Sequence, residues 1–166
     1  IVLFDRFMME EQFGWRVAEN CPKALRILDT EDLHCLRKTR ALCLKQQVPF
    51  SIDELLKQDI TKREIAAILR CDFSLIISTF EMELLKNTFK ITDTNLMYLP
   101  FLFDEITESQ QKKWQSFEDR EHFVFIGNFF HKPNIDAVLT LKNKIWNAIR
   151  KQLPKAEIHI YGAYVN

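Results

Sequence analysis

Three short segments gather side chains capable of chemistry. The first is Asp29-Thr30-Glu31-Asp32-Leu33-His34-Cys35-Leu36-Arg37, placed directly after an apolar run. Acids and a histidine collected at a strand's carboxyl end suit a general base or a grip on a hydroxyl-rich substrate. The plainer reading is a helix N-terminus, where Glu31 and Asp32 favour the positive end of the dipole. The second is Gly127-Asn128-Phe129-Phe130-His131-Lys132-Pro133-Asn134. Strand, glycine loop and helix N-terminus form an architecture that cradles phosphate, with Lys132 or His131 adding positive charge. The full G-x-G-x-x-G pattern is absent, so a simple strand–helix turn remains open. The third, Ser78-Thr79-Phe80-Glu81, also follows a predicted strand and reads as a capping box.

Other features carry less. Glu11 and Glu19 share an E-x7-E spacing, but eight residues on a helix turn through about 800°, leaving the carboxylates about 80° apart. The spacing reads as coincidence. His122 and His159 read as ordinary surface or core positions, and Trp15, Trp114 and Trp146 as packing anchors. Cys21, Cys35, Cys43 and Cys71 show no C-x-x-C spacing and read as buried or half-buried thiols of a reducing compartment. No short-spaced Cys/His cluster points to zinc, and no metal is expected.

These segments must be held by alternating elements. Residues 1–4, 24–28, 73–77, 96–103, 122–126 and 158–161 read as strands, the fourth bent at Pro100. Residues 8–20 have helical character, broken at Cys21-Pro22. Asp29 or Thr30 is the expected cap of the next helix, which carries Leu33, Leu36, Ala41 and Leu44. Ser51 opens a further helix, and Thr61-Lys62-Arg63-Glu64 reads as a capping box opening another. Residues 78–89 form the next. Residues 104–121 read as polar and helical, with Trp114 and Phe117 as the only large anchors. The last helix begins near Pro133, sets Ile135, Val138, Leu139, Ile145, Ile149 and Leu153 on one face, and stops at Pro154.

Strand–helix alternation predicts parallel sheets joined by right-handed crossovers. The chain has 166 residues, 23 basic and 23 acidic, which argues against nucleic-acid or polybasic membrane-surface binding. Its 47% apolar and 28% charged content is that of a globular chain. No apolar run approaches the roughly 20 residues that span a bilayer. Glycine occurs three times and phenylalanine 14 times, an unusual economy for a phosphate-binding α/β domain. With Ile1 falling inside a strand, the chain reads as a fragment.

The DTEDLHCLR, ISTFE and FIGNFFHKPN elements, in this order, resemble a GT-B-fold glycosyltransferase of the group 1, family 4-like type. The closing LPKAEIHIYGA resembles the second strand of that family's C-terminal domain. The fold class implied is α/β, with parts of two Rossmann-like domains, both incomplete. Residues 1–103 would be the C-terminal part of the acceptor-side domain, 104–121 an inter-domain segment, and 122–166 the start of the donor-side domain.

The resemblance implies a cytoplasmic, metal-independent transfer from a nucleoside-diphosphate sugar to a sugar or glycan acceptor, with retention of anomeric configuration. No separate cofactor, nucleic acid or transmembrane segment is implied. His34, Asp32 and Asp29 would be catalytic, Ser78 and Glu81 substrate-binding. Gly127, Asn128, His131, Lys132 and Asn134 would hold the donor. Asn128 stands where many members of the family carry an arginine, and the family's donor-domain glutamate pair is missing. As a fragment, the chain is expected to be inactive alone. The alternative is a non-catalytic glycosyltransferase-like module that binds carbohydrate or protein.

Overall fold

Alternation along four short strands decides which side of the sheet is covered. The computed structural model describes residues 1–164. In residues 1–103, β1 (Val2–Asp5), β2 (Arg26–Asp29), β3 (Phe73–Ile76) and β4 (Leu96–Tyr98) form a parallel sheet in the order β1-β2-β3-β4. Register aligns Phe4 with Leu28, Leu28 with Ser74, and Ser74 with Leu96. Phe4, Leu28, Ile76 and Leu96 enter one core with Phe7, Ala67, Ile68 and Leu85 from the helices and Leu33 from the turn before α2. Each fully buried leucine or isoleucine contributes about 2 kcal/mol.

The helices of this unit are α1 (Phe7–Asn20), α2 (His34–Gln46), α3 (Ile52–Lys57), α4 (Asp59–Arg70) and α5 (Thr79–Asn87). A strand order that always steps the same way, joined by right-handed crossovers, stacks its connecting helices on one face. The other face carries Leu3, Ile27, Phe73, Leu75 and Met97, none of them buried; Leu3 is 56% exposed. The apolar runs therefore do not mark strands buried on both sides. The architecture is a Rossmann-like α/β unit with one covered face.

Residues 104–166 form a second compact unit. Here β5 (Phe123–Ile126) pairs in parallel with β6 (Ile158–Tyr161). Between them run α7 (Lys132–Thr140), a π-helical turn at Leu141–Ile145, and α8 (Trp146–Gln152). Among its described residues none is buried, because two strands and one interrupted helix cannot close a core. Of the expected apolar stripe, Val138 and Ile149 are half-buried, while Ile135, Leu139, Ile145 and Leu153 are exposed.

Several local expectations are corrected. Residues 104–121 are mostly irregular, with one turn of helix, α6 (Glu108–Gln111), boxed by Thr107 and Gln110. Trp114 and Phe117 anchor nothing, being 56% and 80% exposed, and Trp15 is likewise exposed. Trp146 does pack, edge-on to Phe123 at 5.8 Å between centroids. β4 stops at Tyr98, two residues before Pro100, instead of running to Phe103. The α4 helix starts at Asp59, so Thr61 is no cap; its hydroxyl donates to the Leu55 carbonyl at 2.6 Å. Ser51 does cap α3, accepting from the Glu54 amide at 3.2 Å.

Candidate functional site

Parallel strands end together, so the loops after β1, β2, β3 and β4 crowd one edge of the first sheet, where ligands bind in open α/β sheets. Asp5 ends β1 with Arg6 next to it, and Asp29 ends β2, with Thr30 through Leu33 leading into His34 at the start of α2. Asp5 and Asp29 are register partners. The Arg6 guanidinium donates to both Asp5 oxygens at 3.0 and 2.8 Å, and lies 3.8 Å from Glu31. That hydrogen bond and charge hold the Asp5 carboxyl below its usual range. Arg6 and Glu31 both have positive φ, 68° and 56°, a conformation side chains adopt at a cost and one that gathers at functional loops. In the sequence Arg6 is signalled only by its place just after a strand.

Beside this edge lies a cavity of about 610 Å³, lined by Asp29, Glu31, Leu75, Ile77, Leu99 and Phe101 among others. Two carboxylates facing an apolar wall can bind hydroxyls on one side and the apolar face of a ring on the other. Of the proposed catalytic residues, Asp29 alone lines this cavity. Its Oδ1 also accepts from the Glu31 amide at 3.1 Å, which shapes the turn instead of capping a helix.

Asp32 and His34 belong to a different environment. Arg37 donates to Asp32 Oδ2 at 2.6 Å, and His34 Nδ1 stands 3.2 Å from Asp32 Oδ1. His34 is 6% exposed, edge-on to Phe7 at 5.9 Å. The helix it opens, α2, has Leu33 as N-cap and no side-chain cap from its own loop. Two distant carboxylates replace one. Glu81 Oε1 accepts from the Leu33 amide at 3.0 Å. Glu64 accepts from His34 at 3.0 Å and from Cys35 at 2.7 Å.

The positive end of α2 is thus filled by the protein's own anions, and is no open phosphate site. Burial pushes both glutamates above the ordinary carboxylate range, with the amide hydrogen bonds pulling the other way. The second oxygen of Glu81 is buried without a partner. Ser78 caps α5, accepting from the Glu81 amide at 3.4 Å. The Glu81 side chain does not complete the box, because it reaches α2. Glu11, on α1, is held by Arg63 of α4 at 2.9 and 2.6 Å.

In the second unit, glycines end both strands: Gly127 after β5 and Gly162 after β6. Gly162 has φ 148°, and a Cβ there would stand 1.7 Å from the Gly127 carbonyl oxygen. Only glycine permits that approach. A Cβ on Gly127 would meet the Phe125 and Asn134 side chains at 3.1 and 3.2 Å, a tight contact.

The two asparagines brace this loop from within. Asn128 Oδ1 accepts from the Phe130 amide at 3.0 Å, and Asn134 Nδ2 donates to the Asn128 carbonyl at 2.9 Å. His131 is the N-cap of α7 without a side-chain cap bond, and His131 and Lys132 are exposed. Gly162 belongs with this set although the sequence reading gave it no role; two of three glycines directly following predicted strands was the signal.

Compared with protein-family models, curated proteins and solved structures, the chain matches none of them. Among the described residues, no helix is long and apolar enough to cross a membrane.

Proposed function

We propose that this chain is part of a cytoplasmic glycosyltransferase that moves a sugar from a nucleoside-diphosphate donor to an acceptor hydroxyl. The observation that carries the reading is the Gly127–Gly162 backbone approach beside the N-terminus of α7. Glycine backbone can come close to a diphosphate, and the helix dipole with Lys132 and His131 offsets charge developing on the leaving group. Asn128 and Asn134 hold the loop's shape. On the first unit, Asp29 beside the 610 Å³ cavity is the carboxylate placed to orient an acceptor hydroxyl. His34 and Asp32 act behind it, fixing the start of α2. During transfer the bond between the anomeric carbon and the diphosphate breaks as a bond to the acceptor oxygen forms, and the acceptor's hydroxyl proton passes to the departing diphosphate oxygen; retention is the outcome implied by the resemblance. All four cysteines are unbridged, which suits a reducing compartment.

Calorimetric titration with uridine, guanosine and adenosine diphosphates tests this. One of them should bind, and Gly127→Val should abolish that binding with the circular dichroism spectrum unchanged. A second reading, a non-catalytic carbohydrate-binding module, is favoured by the filled N-terminus of α2. It takes over if no diphosphate binds while a glycan protects the 610 Å³ cavity from hydrogen exchange.

A further inference from the structure

The N-terminal end of the two-stranded sheet carries a cluster that the transfer reaction does not use. Register sets Phe123 opposite Ile158 and Val124 opposite His159. One step back along each strand brings His122 level with Glu157, whose amide donates to His122 Nδ1 at 3.3 Å. Strand alternation puts Glu157 and His159 on one face, and the register adds His122 to it. The imidazoles meet edge to face, 5.2 Å between centroids, and His159 Nε2 lies 3.6 Å from Glu157 Oε2. One donor atom from each of the three residues lies within 4.8 Å of the others.

We infer that His122, Glu157 and His159 form a binding site for one borderline divalent cation of the zinc class. Metal bonds of about 2.1 Å in tetrahedral geometry hold their donors about 3.4 Å apart. The His159–Glu157 pair already has nearly that separation, and side-chain rotation of exposed groups closes the rest. Two imidazoles and a carboxylate select zinc, cobalt or nickel over magnesium or calcium, which prefer all-oxygen shells. Solvent supplies the fourth ligand. The amide contact to His122 is long and weak, and water replaces it when the ring turns to a metal.

The site lies about 15 Å along the strands from the Gly127 loop, so its metal clamps the sheet and takes no part in transfer. A unit with no buried residue among those described gains from such a clamp, as small scaffolds do generally.

Titration of the full chain with zinc chloride, in a Cys21→Ser background that removes the exposed thiol, tests the site. One equivalent should bind with Kd below about 100 µM. His122→Ala and His159→Ala should each weaken binding at least tenfold, and Glu157→Gln several-fold. Cobalt should give the visible bands of a four-coordinate ion. Binding that survives both histidine variants, or only weak non-stoichiometric uptake, overturns the assignment. All three side chains are at least partly exposed, so unchanged circular dichroism is expected in every variant.

Discussion

Glu64 Oε2 accepts a 2.7 Å hydrogen bond from the backbone amide of Cys35, 29 residues earlier in the chain. Its other oxygen takes the His34 amide, so one buried side chain of α4 closes the first turn of α2. Removing the carboxylate leaves two buried donors without partners. Glu64→Ala should destabilise by about 2–4 kcal/mol and Glu64→Gln by less, since the amide keeps one acceptor oxygen. Urea denaturation of the three proteins at pH 7 measures the difference.

The same residue sets a pH dependence. Burial raises the carboxyls of Glu64 and Glu81 above their usual 4.5, so the folded chain keeps protons that the unfolded chain has released. Their contribution to stability therefore falls as pH climbs from about 4.5 through the raised values. Asp5, Glu11 and Asp59 act oppositely: Arg6, Arg63 and Lys62 lower them, and their stabilisation is lost as pH falls below the unfolded values. Denaturation midpoints across pH 4–8 should lose part of their downward slope above 4.5 in Glu64→Gln. An unchanged profile would mean that Glu64 titrates as a free carboxyl.

Thiol reactivity should separate one cysteine from three. Cys21 is exposed, whereas Cys35, Cys43 and Cys71 are buried. Burial pushes the Cys71 thiol up to about 12 and raises Cys35 further, beside Glu64. A disulfide reagent at pH 8 should titrate one thiol in the folded chain and four after denaturation.

Two arginines on α4 offer a graded comparison. Glu10 is 4% exposed and its carboxylate is gripped by Arg70, while Glu11 is more open and paired with Arg63. Arg70→Met strands a buried charge and should cost about 1–3 kcal/mol, allowing for the half-exposed arginine. Arg63→Met should cost less than about 1 kcal/mol. Equal losses would show that burial of Glu10 is not what matters.

The two glycines of the second unit should respond unequally. Gly162→Ala drives a methyl into the Gly127 carbonyl and should disrupt the β5–β6 loops, seen as faster amide exchange over residues 123–130. Gly127→Ala meets only side-chain atoms and should be tolerated.

Strand and helix order was legible because apolar runs, caps such as Ser51 and breakers such as Cys21-Pro22 and Pro154 are local signals. The site's supports were not. Thr61-Lys62-Arg63-Glu64 has the letters of a capping box, yet Glu64 faces inward and serves a different helix. Asp29 and Thr30 look like caps of α2, but its amides are met by Glu64 and Glu81, a pairing that exists only after the strands align. Likewise His122 and His159 stand apart in sequence and become neighbours through the β5–β6 register. The stripe from Ile135 to Leu153 has helical spacing, but spacing says nothing about what covers it.

The monotonic strand order has a consequence for how the first unit is made. β2 pairs with β1, β3 with β2, and β4 with β3, so no strand must be threaded between two already paired. Each helix-linked strand can dock on the last as the chain emerges at about 5–20 residues per second. Assembly advances like courses of brick, each new strand finding its template already laid.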